Sequence, residues 1–232
     1  MKDKKILCTV CARGGSKGLP NKNLLEIDGK SLIGHTLTQA KSVNGINAVI
    51  VSSDSKKILE EGKNFEADIL LERDAELASD NAGKIDAIID CINFAERKMK
   101  VDFDYVIDLD VTSPLRSIDD ITNCLKMSQG ANFTNLITVT DSRKNPYFNQ
   151  IEITNEGPQL VKTGYDIKGR QAAPKVYDMN ASIYVWEKKF LLSKKSLFSK
   201  HTIVYDMPEE RSIDIDSELD FKFVKYLMEN EL

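Results

Sequence analysis

The chain has 232 residues, 41% hydrophobic and 29% charged, with 32 Lys and Arg against 36 Asp and Glu for a net charge of −4 at pH 7. That length and mixture suit one globular domain with a sizeable core, and the negative balance excludes bulk attraction to nucleic acid, so a polyanionic ligand would need a local basic site. No run approaches the roughly 20 apolar residues of a membrane span, and MKDKKILCTV lacks the apolar stretch of a secretory leader; a cytoplasmic protein is expected.

The first element is KILCTVCA, a continuous apolar run of the kind that fills a parallel strand buried on both faces. Cys8 and Cys11 have C-x-x-C spacing. Three apart on a strand they point to opposite faces, and no second ligand pair follows, so two small buried thiols are expected rather than a zinc or redox site. ARGGSKGLPNKN then packs glycines and cations into one loop. Ser31 reads as the N-cap of a helix running to about Val43, where Asn44-Gly45 ends it. His35 lies inside that helix, a packed or capping residue rather than a general base.

INAVIVSSD reads as a strand, SKKILEEGKNF as a helix and ADILL as a short strand. GKIDAIIDCINFAERKM carries an apolar stripe at Ile85, Ile88, Ile89, Ile92 and Ala95, spaced as on a helix. DYVIDLDV is another buried strand. SIDDITNCLKM is a helix whose Ser117 and Asp120 stand in the capping-box relation, and NLITVT is a further strand. From 141 to 177 the pattern turns polar and rich in turn residues, which predicts an inserted arm of short strands and loops. NASIYVWEKKFLL returns to strand and helix, and a last helix begins near Asp216 or Ser217.

Alternating strands and helices predict one α/β domain over 1–232, a mostly parallel sheet with helices on both faces. Such sheets bind ligands beyond the carboxyl ends of their strands. ARGGSKG, SSD and DVTSPLR all emerge at that edge. Glycines let backbone N–H groups approach a phosphate, and Arg13, Lys17 and Lys22 add positive charge. Neither the Walker pattern nor G-x-G-x-x-G is present. The position behind the first strand, with three cations, favours triphosphate binding over a solvated turn.

Two pairs of carboxylates recur at i, i+2 spacing, Asp108 with Asp110 in DLD and Asp214 with Asp216 in DIDSE. If extended, each pair faces one side and repels itself unless a cation bridges it. Magnesium takes one or two carboxylates plus substrate phosphates. Capping of the last helix accounts for Asp216 but leaves Asp214 unexplained.

ARGGSKGLPNKN resembles the signature of the CMP-sialic acid synthetase family, whose members join CTP to an acidic nonulosonic sugar. LERDAELASDNAGKIDAI, DVTSPLR, RQAAPKVYDMNASIYV and SIDIDSELD follow the family's further motifs in order, so the resemblance covers nearly the whole chain. It implies a nucleotide-diphospho-sugar transferase-like fold, and a homodimer whose 141–177 arm crosses to its partner. It also implies magnesium or manganese on Asp214 and Asp216, with CTP and an acidic nine-carbon sugar as substrates. By position, Arg13, Lys22 and Asn23 match residues that hold CTP, with Gly15, Ser16 and Lys17 in the same loop. Ala12 matches a backbone contact to cytosine, and Arg73, Ala82 and Lys84 continue the nucleotide pocket. Asp110, Thr112, Ser113, Arg170, Gln171, Asn180 and Tyr184 match the sugar side, Arg170 with a planar fork suited to the sugar carboxylate.

Two positions depart from the commonest sialic acid pattern. Asp110 stands where many members carry Gln, and its form looks closer to members acting on legionaminate-like sugars. Lys84 stands where a small hydroxyl residue is common; it either adds a phosphate or sugar contact or turns outward. The implied chemistry is attack of a 2-keto sugar's anomeric hydroxyl on the α-phosphorus of CTP, with Arg13, Lys17 and Lys22 stabilising the leaving pyrophosphate. A 3-deoxy-manno-octulosonate cytidylyltransferase is the near alternative. More distant ones are a metal-dependent glycosyltransferase using DLD and a non-catalytic nucleotide-binding module.

Overall fold

The computed structural model describes residues 4–15, 18–78, 83–130, 132–164 and 167–230. Strand β1 (Ile6–Cys11) leads through the cationic loop to a small hairpin of β2 (Glu26–Ile27) and β3 (Lys30–Ser31), then α1 (Leu32–Ser42). The alternation continues with β4 (Ala48–Ser53), α2 (Lys56–Asn64), β5 (Ile69–Glu72), the single turn α3 (Ala75–Ala78), α4 (Lys84–Met99), β6 (Tyr105–Leu109) and α5 (Ile118–Met127). After β7 (Asn135–Asp141) the chain leaves as an arm bearing the hairpin β8 (Ile151–Thr154) and β9 (Gly157–Leu160). It returns as β10 (Tyr177–Glu187), α6 (Lys188–Lys194), β11 (Thr202–Asp206) and α7 (Glu218–Glu229).

Helix starts follow their caps. The Ser31 hydroxyl accepts from the Gly34 N–H at 3.1 Å and starts α1. Reciprocal capping boxes start α5, with Ser117 and Asp120, and α7, with Ser217 and Asp220.

Seven strands form one sheet in the order β11-β7-β10-β6-β1-β4-β5. All neighbours are parallel except β10, which runs antiparallel to both β6 and β7. It starts at the edge where β7 ended, because the arm begins and finishes there, so no crossover is needed. β11 is absent from the sequence reading. TIVYD is half-buried and pairs only with β7 at the sheet border, so it lacks the apolar run of a central strand.

Side chains alternate between two core layers. Cys8, Val10, Val49, Val51, Ile107, Leu109, Ile183 and Val185 pack with α1, α2, α5 and α7 on one face. Leu7, Ala48, Ile50, Val106, Tyr184 and Trp186 pack with α4 and α6 on the other. Both faces are covered, as continuous apolar strands require. The sheet's carboxyl edge is left open.

Candidate active site

At that edge lies a cavity of about 520 Å³, walled by the loop after β1, Arg73, the start of α4, the loop after β6 and the 214–216 segment. Of the three segments expected to converge there, those after β1 and β6 line the cavity; SSD at the end of β4 does not, and its Asp54 and Ser52 instead hold Gly14 and Arg73. Ser16, Lys17 and Ala82 lie outside the described residues.

Arg13 and Lys22 both line the cavity. Lys22 reaches the Asp216 carboxylate at 3.0 Å. Asn23 is buried, and its side-chain amide donates to the Arg13 carbonyl at 2.9 Å, so it braces the loop. The Gly14 N–H is held by Asp54 at 2.7 Å. Gly15 has open space around it, whereas a Cβ on Gly18 would stand 2.6 Å from the Asp216 carbonyl oxygen. Glycine at 18 therefore lets the cationic loop close onto the acidic segment. Ala12 is buried, its N–H bonded to the Ser52 carbonyl at 3.0 Å. Arg73 is held through Nε to Ser52 Oγ and Nη2 to the Ser52 carbonyl, at 3.0 and 2.8 Å.

Cys8 is fully buried as expected, but Cys11 is only partly so: it lines the cavity, its sulfur 3.9 Å from that of Cys91. As the last residue of β1, it stands where the sheet's cover ends. His35 is half-buried in α1, Nε2 lying 2.9 Å from the Ile27 carbonyl oxygen, and burial lowers its pKa. That is the packed role expected of it.

The two departures turn out to be one ion pair. Lys84 Nζ lies 2.8 Å from Asp110 and 3.0 Å from Asp108, and 5.0 Å from the centre of the Tyr184 ring. Lys84 thus turns inward. Burial opposes ionisation of Asp110, but Lys84 and the Thr112 hydrogen bonds outweigh it and hold the carboxyl well below the usual carboxylate range. Burial likewise opposes the Lys84 charge, and Asp108 and Asp110 together raise its pKa well above normal. Asp108 also accepts from the Thr9 hydroxyl at 2.6 Å. With both DLD carboxylates committed to a lysine, the pair is poorly suited to hold a metal in the manner of a glycosyltransferase.

Asp214 and Asp216 are different. Asp214 Oδ1 is buried without a hydrogen-bond partner among the described residues. Burial raises the pKa of its carboxyl, against a Thr112 hydrogen bond, with Asp110 and Asp216 adding to the rise. Asp216 is 79% exposed at the cavity mouth. An orphaned carboxylate oxygen beside a second carboxylate is a donor set that fits a hard divalent cation completed by substrate phosphates. No cluster of three or more His, Cys, Asp or Glu suited to a metal occurs among the described residues.

Arg116 and Arg211 organise this edge, and neither was assigned a role from sequence, although Arg116 ends the quoted DVTSPLR. Fully buried, Arg116 donates to the carbonyls of Asp110, Ser113 and Ser182 and to Thr36 Oγ1, and burial pulls its pKa down to about 10. Arg211 grips Asp120 with two bonds of 2.9 and 3.0 Å, and the Ile215 N–H donates to the Thr112 carbonyl at 2.9 Å, so the acidic segment is clamped at both ends. Burial opposes Asp120 ionisation, but Arg211 and Ser117 outweigh it and hold the carboxyl below its ordinary value. Arg211→Ala is therefore expected to lower stability by about 2 kcal/mol near neutral pH. Because the Asp120 pKa is depressed by folding, this contribution is complete above the unfolded value of about 3.9 and fades as pH falls below it. Thermal melts of both proteins from pH 7 to 3 check the prediction; a gap that widens on acidification would refute it.

The residues expected on the sugar side divide. Asp110 and Thr112 line the cavity. Ser113 is fully buried with its hydroxyl unpartnered among the described residues. Asn180 is also buried, bonded to Thr138, the Ser182 N–H and Ser212, and it braces the bulge where Ala181 adopts φ 54°. Tyr184 lies beside Lys84 on β10, whereas Arg170 and Gln171 stand exposed on a single turn of the arm, outside the cavity of their own chain. Their spacing in sequence carries no signal of that separation.

A family profile described as cytidylyltransferase matches residues 7–231. The chain belongs to the cytidylyltransferase family. This cytidylyltransferase is 41% identical over 227 residues, 98% of its length and 96% of the relative's, to the post-translational flagellin modification protein B of Campylobacter coli. It is 41% identical over 224 residues, 97% of its length and 95% of the relative's, to the CMP-N,N'-diacetyllegionaminic acid synthase of Campylobacter jejuni. Among solved structures, a CMP:2-keto-3-deoxy-manno-octonic acid synthetase complexed with CTP superposes with a TM-score of 0.73 at 18% identity, covering 99% of this chain and 100% of that one. That likeness establishes the nucleotide-sugar cytidylyltransferase fold. No helix among the described residues is long and apolar enough to cross a membrane.

Proposed function

We propose that this chain joins CTP to a nonulosonic acid of the legionaminate or sialate type, giving the CMP-sugar and pyrophosphate. The observation that carries the reading is the closure of the cationic loop on the acidic segment, with Lys22 at 3.0 Å from Asp216, in a chain 41% identical over its length to a CMP-legionaminic acid synthase. The sugar's anomeric hydroxyl attacks the α-phosphorus and pyrophosphate leaves. Both partners are anions, so charge neutralisation dominates the work of the site. Arg13 and Lys22 face the phosphates, Arg73 holds the floor of the nucleotide pocket, and the β6 loop meets the sugar. Asp214 and Asp216 would hold magnesium or manganese, which supplies Lewis-acid neutralisation and a lower pKa for the attacking hydroxyl.

The decisive test is pyrophosphate release from CTP with N,N'-diacetyllegionaminate, N-acetylneuraminate, pseudaminate and 3-deoxy-manno-octulosonate offered separately. Release with a nonulosonate above the others supports the reading; release with octulosonate alone, or none with any acid, overturns it.

The same reading includes a homodimer. The arm hairpin carries Ile151 and Ile153, two apart on one face and 62% and 85% exposed, with Phe148 and Val161 also exposed. Covering them with a partner would bury apolar surface and carry Arg170 and Gln171 toward the partner's cavity. Ile153→Asp is expected to sediment as a monomer and to lose most sugar-dependent turnover. A monomeric variant of full activity would exclude a contribution from the partner. Four free thiols, three of them buried, suit a reducing compartment, where CTP is also found, and favour work in the cytoplasm.

A further inference from the structure

The loop behind β1 holds two consecutive glycines, Gly14 and Gly15, the residue type with the widest backbone freedom. One peptide unit at its start is nevertheless gripped from both ends. The Arg13 carbonyl accepts from the Asn23 side-chain amide at 2.9 Å, and the Gly14 N–H, in the same peptide unit, donates to Asp54 Oδ1 at 2.7 Å. In a trans unit these two groups point to opposite sides, so a bond to each fixes the plane against rotation. Asn23 comes from the loop itself. Asp54 follows β4 and is not among the residues that line the cavity.

Asp54 is itself held in place. Ser53 Oγ accepts from the Ser55 N–H at 3.0 Å, closing the turn into α2, and the Ser53 carbonyl accepts from the Arg73 N–H at 2.9 Å. A Cβ on Gly14 would stand 2.9 Å from the Ser55 Cβ, so glycine at 14 lets the loop come close enough for its N–H to reach Asp54. The Asp54 side chain is exposed, beside a loop that faces a triphosphate in the proposed reaction. A fixed anion there weakens binding of a polyanion unless what it does for the loop outweighs the repulsion.

We propose that Asp54 is a positioning residue for the nucleotide: its carboxylate fixes the Arg13–Gly14 peptide and so presents Arg13 and the glycine backbone to the phosphates in one arrangement. The inference rests on the reading that CTP lies against this loop. A loop ordered beforehand loses less conformational freedom when its ligand binds. Asp54 acts through the loop and touches no substrate atom.

The test measures CTP affinity by calorimetry, with magnesium and without sugar, for wild type, Asp54→Ala and Asp54→Asn. Asp54→Ala should weaken CTP binding about 10-fold, the effect of one backbone residue left for the ligand to order. In the full reaction it should raise KM for CTP more than it lowers kcat. Its melting temperature should stay close to that of wild type, because the side chain is exposed. Asp54→Asn keeps an acceptor for the Gly14 N–H and should recover most of the loss. Simple charge repulsion predicts the opposite sign, tighter CTP binding in both variants. An acidic residue that merely favours the start of α2 predicts a lower melting temperature and unchanged affinity. Either of those results, or an Asn variant as weak as the Ala variant, overturns the inference and leaves the proposed function standing. Should Asp54→Ala fail to fold, Gly14→Ala carries the test: its Cβ displaces the loop from the turn, so it should show the same loss, and wild-type affinity in it would overturn the inference. A wild-type enzyme that binds no CTP overturns the proposed function together with the inference.

Discussion

If Asp214 holds the metal as proposed, Asp214→Asn is expected to lower turnover by about 10²–10³-fold, the effect of removing about 3–4 kcal/mol of transition-state charge stabilisation. The reason lies in the local contacts. Asp214 Oδ1 is buried and unpartnered among the described residues, and burial already raises the carboxyl's pKa, so the folded chain holds a carboxylate at some cost. Asparagine preserves the shape and removes the charge. The melting temperature should therefore be unchanged or slightly higher while activity collapses, the usual signature of a group kept for function rather than stability. Asp216→Asn should lose activity comparably, but with no gain in stability, because that side chain is 79% exposed. Steady-state pyrophosphate release at saturating magnesium, paired with thermal melts, tests both. Near-normal turnover in either variant would remove that aspartate from the reaction.

The second large effect concerns Lys84 and Asp110. Lys84→Ser strands Asp108, 1% exposed, beside Asp110 without the cation between them; because Lys84 itself is 36% exposed and solvent screens the pair in part, the cost is about 1–3 kcal/mol. Asp110→Gln is milder, since Lys84 keeps Asp108. Combining them should recover part of the loss, with a coupling of about 1–3 kcal/mol. The sign of the pH dependence follows from the depressed Asp110 pKa. Its contribution is complete above the unfolded value of about 3.9, so the gap between wild type and Lys84→Ser narrows as pH falls below it. In turnover, Asp110→Gln should move the sugar ranking toward N-acetylneuraminate with a smaller change in CTP affinity, because Gln donates as well as accepts whereas the nucleotide is proposed to rest on the β1 loop and Arg73. Additive stabilities and an unchanged ranking together would reduce the pair to a structural bridge.

Much of the architecture was written in local pattern. Continuous apolar runs marked β1, β4, β6 and β7, and Ser31, Ser117 and Ser217 set the helix starts, because a strand buried on both faces and a helix cap each depend on residues close in sequence. The converging loops were legible for the same reason: parallel strands must deliver their carboxyl ends to one edge. The border strand β11 was not, since TIVYD is only half-buried and its place depends on a neighbour 67 residues earlier, Thr202 lying opposite Asn135.

Composition and motif order alone determined the class of protein and marked out the cationic loop and the acidic segment. Tertiary structure alone decided what each charge does. Lys84 and Asp110, 26 residues apart, became one ion pair; Arg211 and Asp120, 91 apart, became a clamp on the acidic segment; Asn23 and Asn180 became braces. An ionisable side chain's role depends on which opposite charge lies within a few ångströms and how far water is excluded, and both are properties of chain segments brought together by folding rather than of any one of them.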